Sequence, residues 1–162
     1  MREFDEYGLK MCRFQGQLFL MSREKTACST PVFLRRFMYS EVAVRMDGEG
    51  FLFESETQED VFGEIEAEFG KSEYGRIKYD GEELYWIGYL YRYWCYTRRI
   101  SSKALYKMIK PEKLRKVYYP YHSLDPAQAI ERIIETNGLG EEDYIQKGVA
   151  LLREILRRDG EG

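Results

Sequence analysis

The pattern of apolar and polar residues predicts a mainly helical chain, and one stretch dominates it. Residues 81–99 (GEELYWIGYLYRYWCYTRR) hold both tryptophans and five of the fourteen tyrosines. Asp80 and Glu83 fit a capping box, so a helix is predicted to begin there. At about 100° per residue, one face carries Leu84, Ile87, Tyr91, Trp94 and Cys95, and the other carries Tyr85, Tyr89, Tyr93 and Tyr96. We expect a mainly α, single compact domain of about six helices around this central helix, with one or two short strands at most.

Two interpretations of this central helix remain open. A helix that is apolar on all sides is normally buried, which favours a core helix. Alternatively, the aliphatic face lies in the core and the tyrosine face stays partly open, since tyrosine is favoured at protein interfaces. Under the second interpretation the partner-binding residues are Tyr85, Tyr89, Arg92, Tyr93 and Tyr96. The stretch is too short and too rich in tyrosine to cross a membrane, which needs about 20 mainly apolar residues.

Helix start and stop signals divide the rest of the chain. Residues 1–28 are difficult to assign, and residues 14–21 (FQGQLFLM) could form a strand that is apolar on both faces. Ser29 and Pro31 predict a helix that runs to about residue 46. Residues 74–79 are expected to form a connector or a strand. Further helix starts are predicted at Thr57 with Asp60, at Ser101 or Ser102, at Pro111, and at Asp125 with Pro126.

The C-terminal segment, residues 141–158, predicts an amphipathic helix. Most such helices serve the core of their own domain, so we expect it to pack there and not on a partner helix. The chain contains no internal repeat and no low-complexity linker. Residues 1–162 are therefore expected to form a single domain.

Charge is distributed unevenly along the chain, although the net charge is only −3. Residues 47–83 contain thirteen acidic and three basic residues, a net of −10, whereas residues 84–124 contain nine basic and one acidic residue, a net of +8. The two blocks could face each other or be solvated. The basic block could also meet a polyanion, because Lys110-Pro111 joins two short predicted helices as in a helix-turn-helix. The nucleic-acid-binding residues would then be Arg98, Arg99, Lys103, Lys107, Lys113, Arg115 and Lys116.

Residues that could carry catalysis or bind a metal are scarce. Cys12, Cys28 and Cys95 are scattered, which indicates reduced thiols in a cytoplasmic protein and no disulfide framework. His122 is the only histidine, so a zinc site is not expected. His122 and Asp125 could form a general-base pair, but no nucleophile accompanies them and Asp125 is better explained as an N-cap. We therefore predict no catalytic residue, no cofactor and no metal.

Three blocks of the sequence are similar to a known protein family. They are FLRRFMYSEVAVRMD (33–47), YGRIKYDGEELYWIGYLYRYWCYT (74–97) and SSKALYKMIKPEKLRKVYYPYHSLDPAQAIERI (101–133). The chain resembles small uncharacterised proteins of Firmicutes and their mobile elements, encoded beside proteins that resemble ADP-ribosyltransferase toxins. The resemblance covers about residues 30–134 and implies an antitoxin or immunity role. The family has no established catalytic residues, so it implies no site at single positions.

The leading hypothesis is therefore a non-enzymatic, cytoplasmic protein-binding module of the antitoxin type. Its acidic residues 54–68 would suit a basic toxin, and its tyrosine-rich helix would supply the contacts. The alternative is a small DNA-binding transcriptional regulator that uses the basic residues 98–116.

Overall fold

The computed structural model describes residues 1–48, 51, 55–139, 153 and 155–158. It confirms a mainly helical chain, and no strand occurs in these residues. Eight helices have their bounds within the described ranges, against about six predicted. They are α1 (Glu6–Lys25), α2 (Thr30–Met38), α3 (Glu41–Asp47), α4 (Gln58–Phe69), α5 (Gly81–Arg98), α6 (Ser102–Met108), α7 (Pro111–Tyr121) and α8 (Pro126–Thr136).

The chain divides into two units, residues 1–123 and residues 124–162. The first contains α1 to α7. The second begins with α8, whose N-cap is Asp125, as predicted, with its side chain accepting a hydrogen bond from the backbone N–H of Ala127 (3.4 Å). The predicted helix 141–158 lies largely outside the described residues. The expectation of a single domain stays a prediction.

Helix α1 replaces the strand predicted at residues 14–21, so that prediction is wrong. The helix begins at the N-cap Asp5, whose carboxylate accepts from the backbone N–H of Gly8 (2.9 Å). Its buried residues recur every three or four positions, as at Met11 and Leu18, which is a helical and not a strand spacing. The run looked like a strand because α1 is covered on more than one side.

Helix α5 packs along α1, and glycines allow the two helices to lie close together. A Cβ atom at Gly88 would lie 2.6 Å from the backbone oxygen of Gln15, and one at Gly16 would lie 3.0 Å from the ring of Tyr85. On α5, the side chains of Leu84 and Ile87 are fully buried. Since both helices lack a side chain at these crossing points, their backbones approach closely.

The single helix predicted from Ser29 to about residue 46 is two helices. Ser40 separates them, because its hydroxyl donates to the carbonyl of Phe37 (2.6 Å) and accepts from the N–H of Ala43 (3.1 Å). Serine competes in this way with helical backbone bonds, so it ends α2 and caps α3. Because of this break α3 does not continue α2, and its last residue, Asp47, lies near α5 and α6.

Residues 74–79 form a connector and not a strand. It is held to the start of α2 by three hydrogen bonds: Ser29 N–H to Tyr74 O (2.9 Å), Thr30 N–H to Ile77 O (2.8 Å), and Tyr79 N–H to Thr30 Oγ1 (3.0 Å). These bonds fix the position from which α5 begins. The predicted capping box of Asp80 and Glu83 is present at that point.

Candidate functional site

An aromatic cleft opens beside the first half of α5. It has a volume of about 500 Å³, and mainly apolar side chains line it. Helix α1 contributes one residue, α5 contributes five, and the end of α7 contributes two. The residues of the aromatic cleft are Leu20, Gly81, Glu82, Tyr85, Trp86, Tyr89, Tyr118 and His122.

Contacts within the first unit hold the rings of the aromatic cleft in place. The ring of Tyr85 lies on Gly16 and 6.3 Å from the ring of Tyr89, centroid to centroid. The indole of Trp86 meets the ring of Tyr118 edge to face at 5.7 Å. All four side chains are half-buried. The cleft therefore presents large aromatic surfaces whose orientation is already fixed.

His122 closes one end of the cleft, and its tautomer follows from its partners. Its ring stacks on that of Tyr118 at 4.5 Å. Its Nδ1 lies 2.9 Å from the carbonyl oxygens of both Tyr118 and Tyr119. Carbonyls only accept, so Nδ1 carries a hydrogen in these bonds.

Tyr89 and Glu82 bring polar groups to the aromatic cleft. Burial raises the pKa of Tyr89 to about 12, so its hydroxyl is neutral at physiological pH. The carboxylate of Glu82 is exposed at the edge and accepts a long hydrogen bond from the Tyr118 hydroxyl (3.4 Å). The site can thus take an apolar side chain and offer a carboxylate beside it.

The structure divides the five residues predicted to bind a partner. Tyr85 and Tyr89 line the cleft, but Tyr93 packs on the ring of Phe4 at 4.5 Å and Tyr96 is only 6% exposed. Arg92 is 1% exposed and therefore is not a surface anchor, and the assignment of the five residues to a partner interface stays a prediction. Trp86, Leu20, Tyr118 and His122 were not among the predicted site residues. The spacing of four residues between Tyr118 and His122 was an available signal, because it places both on one helix face.

Arg92 can be buried because three side chains from other elements accept hydrogen bonds from its guanidinium. Its Nε donates to Gln15 Oε1 (2.7 Å), its Nη1 to Asp47 Oδ1 (2.7 Å) and its Nη2 to Ser102 Oγ (2.9 Å). Ser102 in turn donates to Asp47 through its backbone N–H (2.8 Å) and its hydroxyl (2.6 Å). The side-chain amide of Gln15 donates to Gly88 O (3.0 Å), which closes the network onto α5. A buried arginine requires pairing of this kind.

Tyr96 is fixed by residues at the start of the chain. Its hydroxyl donates to Asp5 Oδ1 (2.5 Å), and the guanidinium of Arg2 lies over its ring at 3.9 Å. The pKa of Tyr96 is raised to about 12 by burial and by the bond to Asp5. The same bond, with that from the N–H of Gly8, lowers the pKa of Asp5.

Two of the predicted nucleic-acid-binding residues pair with acidic side chains, and the assignment of the set to nucleic acid stays a prediction. Arg115 pairs with Glu83 (3.2 Å) and lies over the ring of Tyr79, and Lys116 pairs with Glu112 (3.2 Å). The structure leaves Arg99, Lys103, Lys107, Lys113 and Lys116 exposed, and leaves Arg98 and Arg115 half-buried.

The acidic and basic blocks of the sequence do meet in the fold. Arg92 with Asp47, and Arg115 with Glu83, join them directly. These pairs support the expectation that the two blocks face each other.

Within the described ranges, no three His, Cys, Asp or Glu side chains lie close enough together to hold a metal ion. None of the helices described is both long and apolar enough to cross a membrane. No protein-family model, no curated protein and no solved structure matches the chain.

Proposed function

We propose that this chain is a non-enzymatic protein-binding module and that the aromatic cleft is its docking site. The observation that carries the proposal is the contrast along α5. Its aliphatic face is buried, whereas Tyr85, Trp86 and Tyr89 stay half-exposed around one cleft. Aromatic side chains held in fixed orientations are the usual anchors of protein interfaces, because little conformational entropy is lost when they bind.

The chemistry of the cleft indicates what the partner presents. The mainly apolar lining fits an aromatic or aliphatic side chain, which would stack between Tyr85, Trp86 and Tyr89. The exposed carboxylate of Glu82 at the edge fits a lysine or arginine next to that anchor. The exposed carboxylates of Glu66 and Glu68 on α4 add negative charge to the same unit and would also attract a basic partner.

We further propose that the partner is a basic toxin and that the chain acts as its antitoxin or immunity protein in the cytoplasm. This assignment rests on the resemblance of residues 33–47, 74–97 and 101–133 to the toxin-associated family. Three free, buried cysteines suit a reducing compartment. Binding would neutralise the toxin by covering its active site or holding it inactive, and would require no catalysis by this chain.

The experiment is a pull-down of the tagged chain co-expressed with its native operon, repeated with variants. The wild-type chain should retain a stoichiometric protein encoded by a neighbouring gene. The substitution Tyr89→Ala should weaken that complex about 30-fold, as expected for loss of an aromatic anchor worth about 2 kcal/mol. The control is Tyr119→Ala, because Tyr119 is 84% exposed and does not line the cleft.

Each other outcome contradicts part of the proposal. Equal binding by the Tyr89→Ala variant and the wild type would place the interface elsewhere on the chain. A preparation that holds nucleic acid but no protein, and releases it at high salt, would favour the DNA-binding regulator. In that case Lys107→Gln and Lys113→Gln should make nucleic-acid binding less dependent on salt concentration, since both lysines are exposed. Circular dichroism of every variant checks that the helices are retained.

A further inference from the structure

A second, polar cavity lies at the opposite end of α5 from the aromatic cleft. Its volume is about 510 Å³. Among the described residues that line it, Arg2, Arg92 and Arg99 are basic and Asp47 alone carries a carboxylate. These described side chains give the cavity an excess of two positive charges. The other residues around it are Met46, Gly48, Cys95, Tyr96, Ile100 and Ser101.

Arg92 brings buried, unused hydrogen-bond donors to this cavity. A guanidinium has five N–H groups, and Arg92 uses three of them on Gln15, Asp47 and Ser102. The other two have no acceptor among the described residues, although the side chain is 1% exposed. Buried donors are rarely left unpaired, so these two N–H groups are available to a ligand that enters the cavity.

Arg99 is held in an unfavourable backbone conformation at the edge of the cavity. It follows the last residue of α5 with φ 54° and ψ 44°, the left-handed region that glycine normally occupies at this point. Its side chain is exposed, and no acid among the described residues pairs with it. A glycine would adopt this conformation more easily, so an arginine at this position costs stability.

Arg2 is the third donor, and its position is fixed. Its backbone N–H donates to the carbonyl of Thr97 (2.7 Å), and its guanidinium lies over the ring of Tyr96. A stacked guanidinium keeps its N–H groups in the ring-parallel plane, where they can meet an anion. Within the described ranges, no carboxylate forms an ion pair with Arg2.

We propose that this polar cavity binds the phosphoryl group of a small phosphorylated ligand. Arginine recognises phosphate through paired N–H groups, and three arginines line one cavity, one from the start of the chain and two from α5 and its C-cap. The carboxylate of Asp47 repels the anion less than a free carboxylate would, because it already accepts hydrogen bonds from Arg92 and Ser102. A ligand with a pyrophosphate group matches the excess of two positive charges better than a ligand with one carboxylate does. The volume leaves room for a group attached to it.

The experiment is isothermal titration of the full chain with inorganic phosphate, with pyrophosphate and with a short single-stranded oligonucleotide, all at low salt. Pyrophosphate should bind saturably at one site per chain. The Arg99→Gly variant should bind it at least about tenfold more weakly, since a charge-assisted hydrogen bond is lost. The same variant should be at least as stable as the wild type because its left-handed residue becomes glycine. Loss of affinity with a gain in stability is not expected of a structural residue.

Two further variants complete the test. Arg2→Gln should weaken pyrophosphate binding in the same way. The matched control Lys107→Gln removes one exposed positive charge of α6 outside the cavity and should leave the affinity unchanged. Absence of saturable binding, equal weakening in the control, or binding of the oligonucleotide without pyrophosphate would each overturn the proposal. The Tyr89→Ala variant should bind pyrophosphate normally, so this test is independent of the aromatic cleft.

Discussion

Substitution of Asp47 by alanine tests whether the buried network of Arg92 is what joins α3, α5 and α6. The carboxylate of Asp47 accepts three hydrogen bonds, from Arg92 Nη1, from the Ser102 backbone N–H and from the Ser102 hydroxyl. Asp47→Ala removes both acceptor oxygens and with them all three hydrogen bonds. It leaves the guanidinium of Arg92 1% exposed and without its counterion.

The magnitude follows from that burial. Removing one partner of a buried ion pair costs about 3–5 kcal/mol, because the remaining charge stays desolvated. The side chain of Asp47 is 17% exposed, so water can partly replace it. We therefore expect the free energy of unfolding to fall by about 3 kcal/mol, a large part of the roughly 5–15 kcal/mol of an ordinary domain.

The assay is urea unfolding followed by tryptophan fluorescence, since Trp94 is buried in the same helix as Arg92. A double-mutant cycle with Arg92→Met should show that the two substitutions are not additive, with a coupling of about 2 kcal/mol. The matched control is Glu112→Ala. It breaks the pair with Lys116, in which both side chains are more than 70% exposed, and it should change stability by less than about 0.5 kcal/mol.

A loss below about 1 kcal/mol for Asp47→Ala would refute this reasoning. It would mean that Arg92 finds another counterion or that water reaches it freely. An additive cycle would contradict the direct pairing, even if each single substitution were destabilising.

Two further predictions concern helix packing and alkaline pH. Gly88→Ala should lower the free energy of unfolding by about 1–3 kcal/mol, because the new Cβ would meet the backbone of Gln15. Gly63→Ala, in α4 and with nothing within 4 Å of its Cβ, should raise it by about 0.5–1 kcal/mol, and thermal unfolding of both variants checks the contrast. Tyr89 and Tyr96 have pKa values raised from 10.0 to about 12 in the folded protein, so the stability they contribute is complete below pH 10 and is lost as the pH rises towards 12. The free energy of unfolding, measured from pH 9 to 12, should show this loss of stability, and the loss should be smaller in the Tyr96→Phe variant. An equal loss in that variant would contradict the assignment of part of it to Tyr96.

The sequence alone determined where most helices begin. The capping signals at Ser29, Thr57, Asp80, Ser101 and Asp125 are all used as predicted. Such caps can be read locally, because the side chain and the N–H that it accepts from lie two or three residues apart. The mainly helical class followed from these caps and from the periodicity of apolar residues.

Tertiary structure decided which side chains are buried and which form sites. Arg92 looked like a surface anchor because its partners, Gln15 and Asp47, lie 77 and 45 residues away in the sequence. Periodicity shows which faces of a helix are apolar, but not what covers them, so residues 14–21 resembled a strand. The aromatic cleft likewise needs Leu20 and His122 from distant helices. Burial depends on packing between elements, which the local pattern does not contain.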